Sequence, residues 1–407
     1  MKKCLIILTI LLIGANSLFA QSEAGAIWLL INPGARPAGM GETGAAIADD
    51  AYASYWNPAG LGFLKGREVA LTHTNWLPNL ASDIYYEFVG YRHFVSNVGT
   101  LGGNLILMNL GEQDRTDEYG NFLGTFSSYM MAITGSYGTA LSRTSAIGVN
   151  VKMIYQHLTD QGAGREKGKG ASTNFAFDVG YMKRQFLTRN LTFGASISNI
   201  GPKIAFIDVS QADPMPTNLK MGLNFSFGGE YNRVTIAYDV NKLLVASYPD
   251  RDIDGDGLVG HYDENGHRNT AGDYNKDGQQ ETAHTDDWYL GVFTSWIDDW
   301  LLLHDSSADG IGEEDEDGDT NDGSIMKEID KLNHNFGIEY WYSDLFAIRV
   351  GCLYDKTGKI LVKDKWPVPT FGAGLRYAGL GFDFGYTAGQ AGHPRQNTMI
   401  FSLNIKF

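Results

Sequence analysis

The sequence predicts an all-β fold, a fourteen-stranded antiparallel transmembrane β-barrel. Three observations carry that expectation. An export-type start is followed by no apolar run long enough to cross a bilayer as a helix. Long stretches alternate apolar and polar residues. The links between those stretches are brief and long by turns.

At the start, Lys2 and Lys3 precede an apolar run from Leu5 to Ile13 and a stretch ending at Ala20. This is the layout of a secretory signal peptide over 1–20, with cleavage expected before Gln21. The run is shorter than the roughly 20 residues of a spanning helix. No later stretch strings 18 apolar residues together, so any crossing of the membrane is expected to be made by strands. Cys4 belongs to the signal, which leaves Cys352 without an intramolecular disulfide partner. A net charge of −15 repels phosphates and argues against nucleic acid as a partner.

A strand between lipid and a wet interior presents apolar side chains on one face only. Met399, Phe401, Leu403, Ile405 and Phe407 share one face, opposite Thr398, Ser402, Asn404 and Lys406, with Ile400 the exception. Leu219, Met221, Leu223, Phe225 and Phe227 alternate in the same way, as do Ile147, Val149, Val151, Met153 and Tyr155. Phe336, Ile338, Tyr340 and Tyr342 oppose Asn335, Gly337, Glu339 and Trp341. Phe346, Ile348, Val350 and Tyr354 oppose Arg349 and place Cys352 on the lipid side. The whole chain gives candidate strands near 67–75, 84–94, 98–110, 127–140, 144–157, 172–184, 190–200, 217–227, 231–241, 335–343, 346–354, 369–377, 379–387 and 397–407. Links after even strands are brief (95–97, 141–143, 185–189, 228–230, 344–345 and 378), whereas those at 111–126, 158–171, 201–216 and 355–368 are long. Short periplasmic turns and long external loops are the pattern of outer-membrane barrels, and this parity puts both termini in the periplasm.

Residues 21–66 precede the first strand and are rich in Gly and Ala, as expected of a compact hatch or plug inside the barrel 67–407. Gly39-Met40-Gly41-Glu42-Thr43-Gly44 fits the spacing GxGxxG, but no strand precedes it and no βαβ unit surrounds it, so nucleotide binding is not inferred.

Arg36-Pro37-Ala38-Gly39-Met40-Gly41, Ala48-Asp49-Asp50-Ala51 and Tyr55-Trp56-Asn57-Pro58-Ala59-Gly60-Leu61 resemble the N-terminal signature of the PorV/PorQ family, and of PorV in particular. That family lies within the FadL-like barrels, whose hatch carries the same element as Asn57, Pro58 and Ala59. The resemblance continues at Asp239-Val240-Asn241-Lys242-Leu243-Leu244-Val245, Gly337-Ile338-Glu339-Tyr340-Trp341-Tyr342, Phe346-Ala347-Ile348-Arg349-Val350-Gly351 and from Asn397 to Phe407. It implies a non-enzymatic role in type IX secretion at the cell outer membrane. The implied carrier receives cargo by its C-terminal signal domain at a translocon subunit and delivers it to the surface attachment (sortase) complex. Ala246-Ser247-Tyr248-Pro249 departs from a more proline-rich family pattern, so cargo contacts are not carried over. The alternative implied by the FadL-like resemblance is a channel for hydrophobic small molecules.

Strand parity makes 242–334 an extracellular acidic insertion. Asp252, Asp254 and Asp256 with Asp263 at the twelfth place, and Asp273, Asn275 and Asp277, have the one-three-five spacing that brings alternate side chains onto a hard Ca²⁺ ion. A third acidic cluster runs over 315–322. The competing reading is a solvated acidic loop. Downstream, 286–300 mixes acids and aromatics and is expected to form a short helix or surface hairpin packing Trp288, Trp296 and Trp300 on the barrel rim, a candidate partner face. The nine histidines are scattered, and no catalytic constellation stands out.

Overall fold

A computed structural model describes residues 24–116, 119, 121–159, 170–206, 212–229, 231–248, 284–297, 329–355, 366–389 and 395–407. The signal region, both one-three-five acidic loops, the cluster at 315–322 and Trp300 lie outside the described residues.

Fourteen antiparallel strands close into one barrel. They are β1 (Arg67–Asn75), β2 (Tyr85–Val95), β3 (Gly99–Thr116), β4 (Phe122–Ala140), β5 (Ser145–Thr159), β6 (Gly170–Arg184), β7 (Leu191–Ile200), β8 (Asn218–Gly228) and β9 (Asn232–Leu243), then, after the insertion, β12 (Asn333–Tyr342), β13 (Phe346–Tyr354), β14 (Val368–Tyr377), β15 (Leu380–Thr387) and β16 (Thr398–Lys406). Neighbours in sequence are neighbours in the wall, and β16 pairs back onto β1 with Leu71 opposite Leu403, which removes every sheet edge. The insertion adds a two-residue ladder on the rim, β10 (Ser247–Tyr248) with β11 (His284–Thr285), and a helix at Trp288–Thr294.

All fourteen expected strands form, and the alternation sorts as the sequence predicts. Val149, Val151, Phe225, Val350 and Phe401 are exposed on the outer face, while Asn150, Lys152, Glu339, Arg349 and Ser402 are buried within. Ile400 breaks the polar phase because it faces inward onto Ala35 and Ala38. The main departure is at β3 and β4, which run well beyond the expected ends and turn most of the link at 111–126 into a paired hairpin. Its signal is hidden by a bulge between Asn109 and Glu112, where Gly111 takes φ 77 and the alternation slips by a residue.

A second departure concerns the chain ends. Phe407 pairs with Arg67 at the periplasmic rim. The first described residues are instead at the opposite end, where the Gly25 amide donates to the Pro214 carbonyl (3.0 Å) in the long link after β7. From there the chain descends through the lumen by short helical turns at Ile27–Leu30, Ala35–Gly39, Ala53–Trp56 and Pro58–Phe63 before entering β1. Loop parity thus accounts for the C-terminal end, whereas the first described residues sit at the external end of the plug.

Candidate functional site: a fastened plug and an aromatic rim

The short turns cannot be stable alone, since none is long enough to repay helix nucleation. They hold because the wall completes them. Asn57 caps the turn that follows it: its Oδ1 accepts from the Ala59 amide (3.1 Å), and its Nδ2 donates to the carbonyls of Ala45 (2.9 Å) and of Tyr181 in β6 (3.1 Å). Pro58 fixes the first helical position, where no amide is needed, and Ala59 is fully buried. The wall opposite is glycine: a Cβ on Gly148 would lie 2.2 Å from the Pro58 carbonyl carbon, and one on Gly180 would lie 2.2 Å from Asn57 Oδ1. The Gly39–Gly44 run serves the same end, because the amides of Gly44 and Ala45 donate to Asp239 Oδ2 of β9 at 2.7 and 2.8 Å.

On the other side of the lumen the plug is held by charge. Arg36 grips Glu339 of β12 with Nε and Nη2, both at 2.9 Å, and reaches Asp49 at 2.6 Å. Glu339 also accepts from Arg349 Nε (2.7 Å); Arg349 meets Asp383 (2.9 Å), which Arg376 closes from outside (2.6 Å). Burial works against the Arg36 charge, but Asp49 and Glu339 outweigh it and hold that guanidinium above its ordinary range. Toward the external end Glu42 accepts from Asn32 (2.6 Å) and pairs with Arg395 from the last external link.

Asp50 is different. It touches water at the periplasmic mouth yet is walled in by plug and barrel, and burial first, then the neighbouring Glu68 and Asp49 carboxylates, push its pKa up to about 7. A carboxyl whose folded pKa exceeds its unfolded value of about 3.9 makes the folded state bind more protons between the two. Stability falls as pH rises from about 4 through about 7. Asp50→Asn is therefore expected to raise the midpoint of heat denaturation at pH 8, by the equivalent of about 1–2 kcal/mol after discounting for solvent contact, and to leave it unchanged at pH 4. Equal shifts at both pH values would contradict this assignment.

At the external end the helix Trp288–Thr294 lies against the outer face of β6, with Trp288 edge-on to Phe177 (ring centroids 6.1 Å apart). Trp296 follows the helix, and Lys242 Nζ sits 5.0 Å from its ring centre. The two described tryptophans thus share one rim element, and both remain partly exposed. Phe293, which no sequence pattern singles out, is 74% exposed and is the most open aromatic of this helix. The ion-pair chain through Arg36, Glu339 and Arg349 was also missed as a site. Its signal was present as charged residues in the inward phase of two strands.

A closed fourteen-strand wall, apolar outside and lined with paired charges around a folded plug, defines an outer-membrane β-barrel. The family model described as "Type IX secretion system protein PorV" matches residues 21–250, more than half of the sequence, and the chain belongs to that family. Among solved structures it is similar to the toluene transporter TbuX of Ralstonia pickettii, with 12% identity, a TM-score of 0.48 and coverage of 92% of this chain and 98% of that one. It is also similar to the toluene transporter TodX of P. putida (12%, TM-score 0.46, 92% and 98%) and a Pseudomonas aeruginosa FadL homologue (10%, TM-score 0.42, 91% and 97%). Comparison with curated proteins gives no match.

Proposed function

We propose that this chain is a carrier in type IX secretion. It binds the C-terminal signal domains of cargo at the outer-membrane translocon and passes them to the surface attachment complex, working through its external rim rather than its lumen. The observation that carries this reading is the pairing of a lumen fastened shut by the plug with a rim helix whose aromatics stand open to a partner. Interfaces favour such side chains because they bury much apolar area at little entropic cost.

Deleting the gene is expected to leave cargo with uncleaved C-terminal domains inside the cell. In the restored protein, Phe293→Ala combined with Trp288→Ala should lower capture of a purified signal domain at least tenfold while the barrel still assembles. Repeating the capture with EGTA tests the further expectation that Ca²⁺ held by Asp252, Asp254, Asp256 and Asp263, and by Asp273, Asn275 and Asp277, stiffens the insertion; binding unaffected by chelation would remove it. Normal cargo display on deleted cells, together with lost uptake of an apolar hydrocarbon, would favour the channel reading instead.

A further inference from the structure

The periplasmic mouth of the lumen holds a cavity of about 420 Å³ that the carrier role does not use. It opens beside the turns carrying Asp344 and Ala378, both on the short-link end of the barrel. Strand order gives the wall a polarity. Arg233 of β9, Trp341 of β12 and Arg376 of β14 line one side; Glu68 of β1 and Asn404 and Lys406 of β16 line the other, with Asp50 contributed by the plug.

The charges in this wall are not fully matched. Asp49 holds Arg36 at 2.6 Å and Glu68 holds Arg92 at 2.7 Å, while Lys406 stays 3.8 Å from Glu68. Asp50 takes no ion pair among the described residues, and its hydrogen bond is to its own turn, from the Tyr52 amide (2.9 Å). Three buried polar atoms on the same wall also lack a hydrogen-bond partner: the acceptors Glu68 Oε1 and Asn404 Oδ1 and the donor Trp341 Nε1. Each belongs to a side chain at least nine-tenths buried, where an unmade hydrogen bond is costly. The carboxylates are too dispersed for a metal: no group of three metal-ligating residues gathers among the described residues. Acceptors on one side, a donor and guanidinium groups on the other, and a volume in the range of small-ligand sites call for an organic molecule bearing both charges.

We propose that this cavity binds a zwitterion of the amino-acid or short-peptide class from the periplasm, its ammonium taken by Asp50, Glu68 and Asn404 and its carboxylate by Arg376 and the Trp341 indole N–H. The site is distinct from the rim and does not depend on the carrier reading.

Calorimetry on the full-length barrel in detergent tests it with four probes: trialanine, N-acetyl-trialanine, trialanine amide and the doubly capped peptide. Trialanine is expected to bind saturably, each single cap to weaken it at least tenfold, and the double cap to abolish it. Asp50→Asn, a variant expected to be at least as stable as the parent, should weaken trialanine at least tenfold and leave the weak binding of N-acetyl-trialanine unchanged. The proposal is overturned if trialanine does not bind, if the capped peptides bind as tightly as trialanine, or if Asp50→Asn has no effect in a barrel at least as heat-stable as the parent.

Discussion

Replacing Glu339 by alanine is expected to release the plug, at a cost of about 3–5 kcal/mol. This carboxylate is fully buried and accepts hydrogen bonds from two guanidinium groups, Arg36 of the plug and Arg349 of β13. Its removal leaves Arg36 with only the half-exposed Asp49 and Arg349 with only Asp383, which Arg376 already shares, so two buried cations are left under-compensated across the plug–wall boundary. Asp49→Ala removes a partner of the same Arg36, yet Asp49 is about half exposed and its pair is screened by water, so the expected loss is under about 1 kcal/mol. The distinguishing measurement is hydrogen exchange over residues 24–65 in the folded barrel. Glu339→Ala should raise exchange throughout the plug while strand amides stay protected, and Asp49→Ala should resemble the parent. Similar protection in both variants would mean that the glycine-lined contacts alone hold the plug.

The contrast explains what was legible in the sequence. Strand positions follow from a local property, the two-residue period, and so the fourteen strands could be read without any knowledge of pairing. The rim ladder could not, because Ser247 and Tyr248 find partners at Thr285 and His284 across a long stretch of intervening chain. Arg36 and Glu339 are separated by 303 positions, and each alone reads only as a charged residue in a favourable place. Asn57-Pro58-Ala59 stood out by resemblance, but its work as a cap that also reaches Tyr181 depends on the fold. The external position of Gly25 is not legible in the sequence for a related reason. Loop parity fixes where strands begin and end, and it carries no information about a segment that runs inside the barrel.

Wall glycines test the other half of the fastening. Gly148→Val is expected to expel the Asn57–Ala59 turn from its seat, because the first carbon added would already lie 2.2, 2.3 and 2.5 Å from Pro58 C, Pro58 O and Ala59 N. Those are backbone atoms of a segment tied at Ala45 and Tyr181, so no rotamer change relieves the clash. Overpacking of this kind costs about 1–3 kcal/mol, and more where the neighbour cannot move. Gly135→Val provides the matched comparison on the adjacent strand, since a Cβ there meets nothing within 4 Å and valine favours a strand. The expected outcome is a raised single-channel conductance and protease-sensitive 24–65 segment for Gly148→Val, with Gly135→Val closed and resistant. A closed, resistant Gly148→Val barrel would require the turn to have an alternative seat, and would shift the burden of closing the lumen onto the Arg36–Glu339 side.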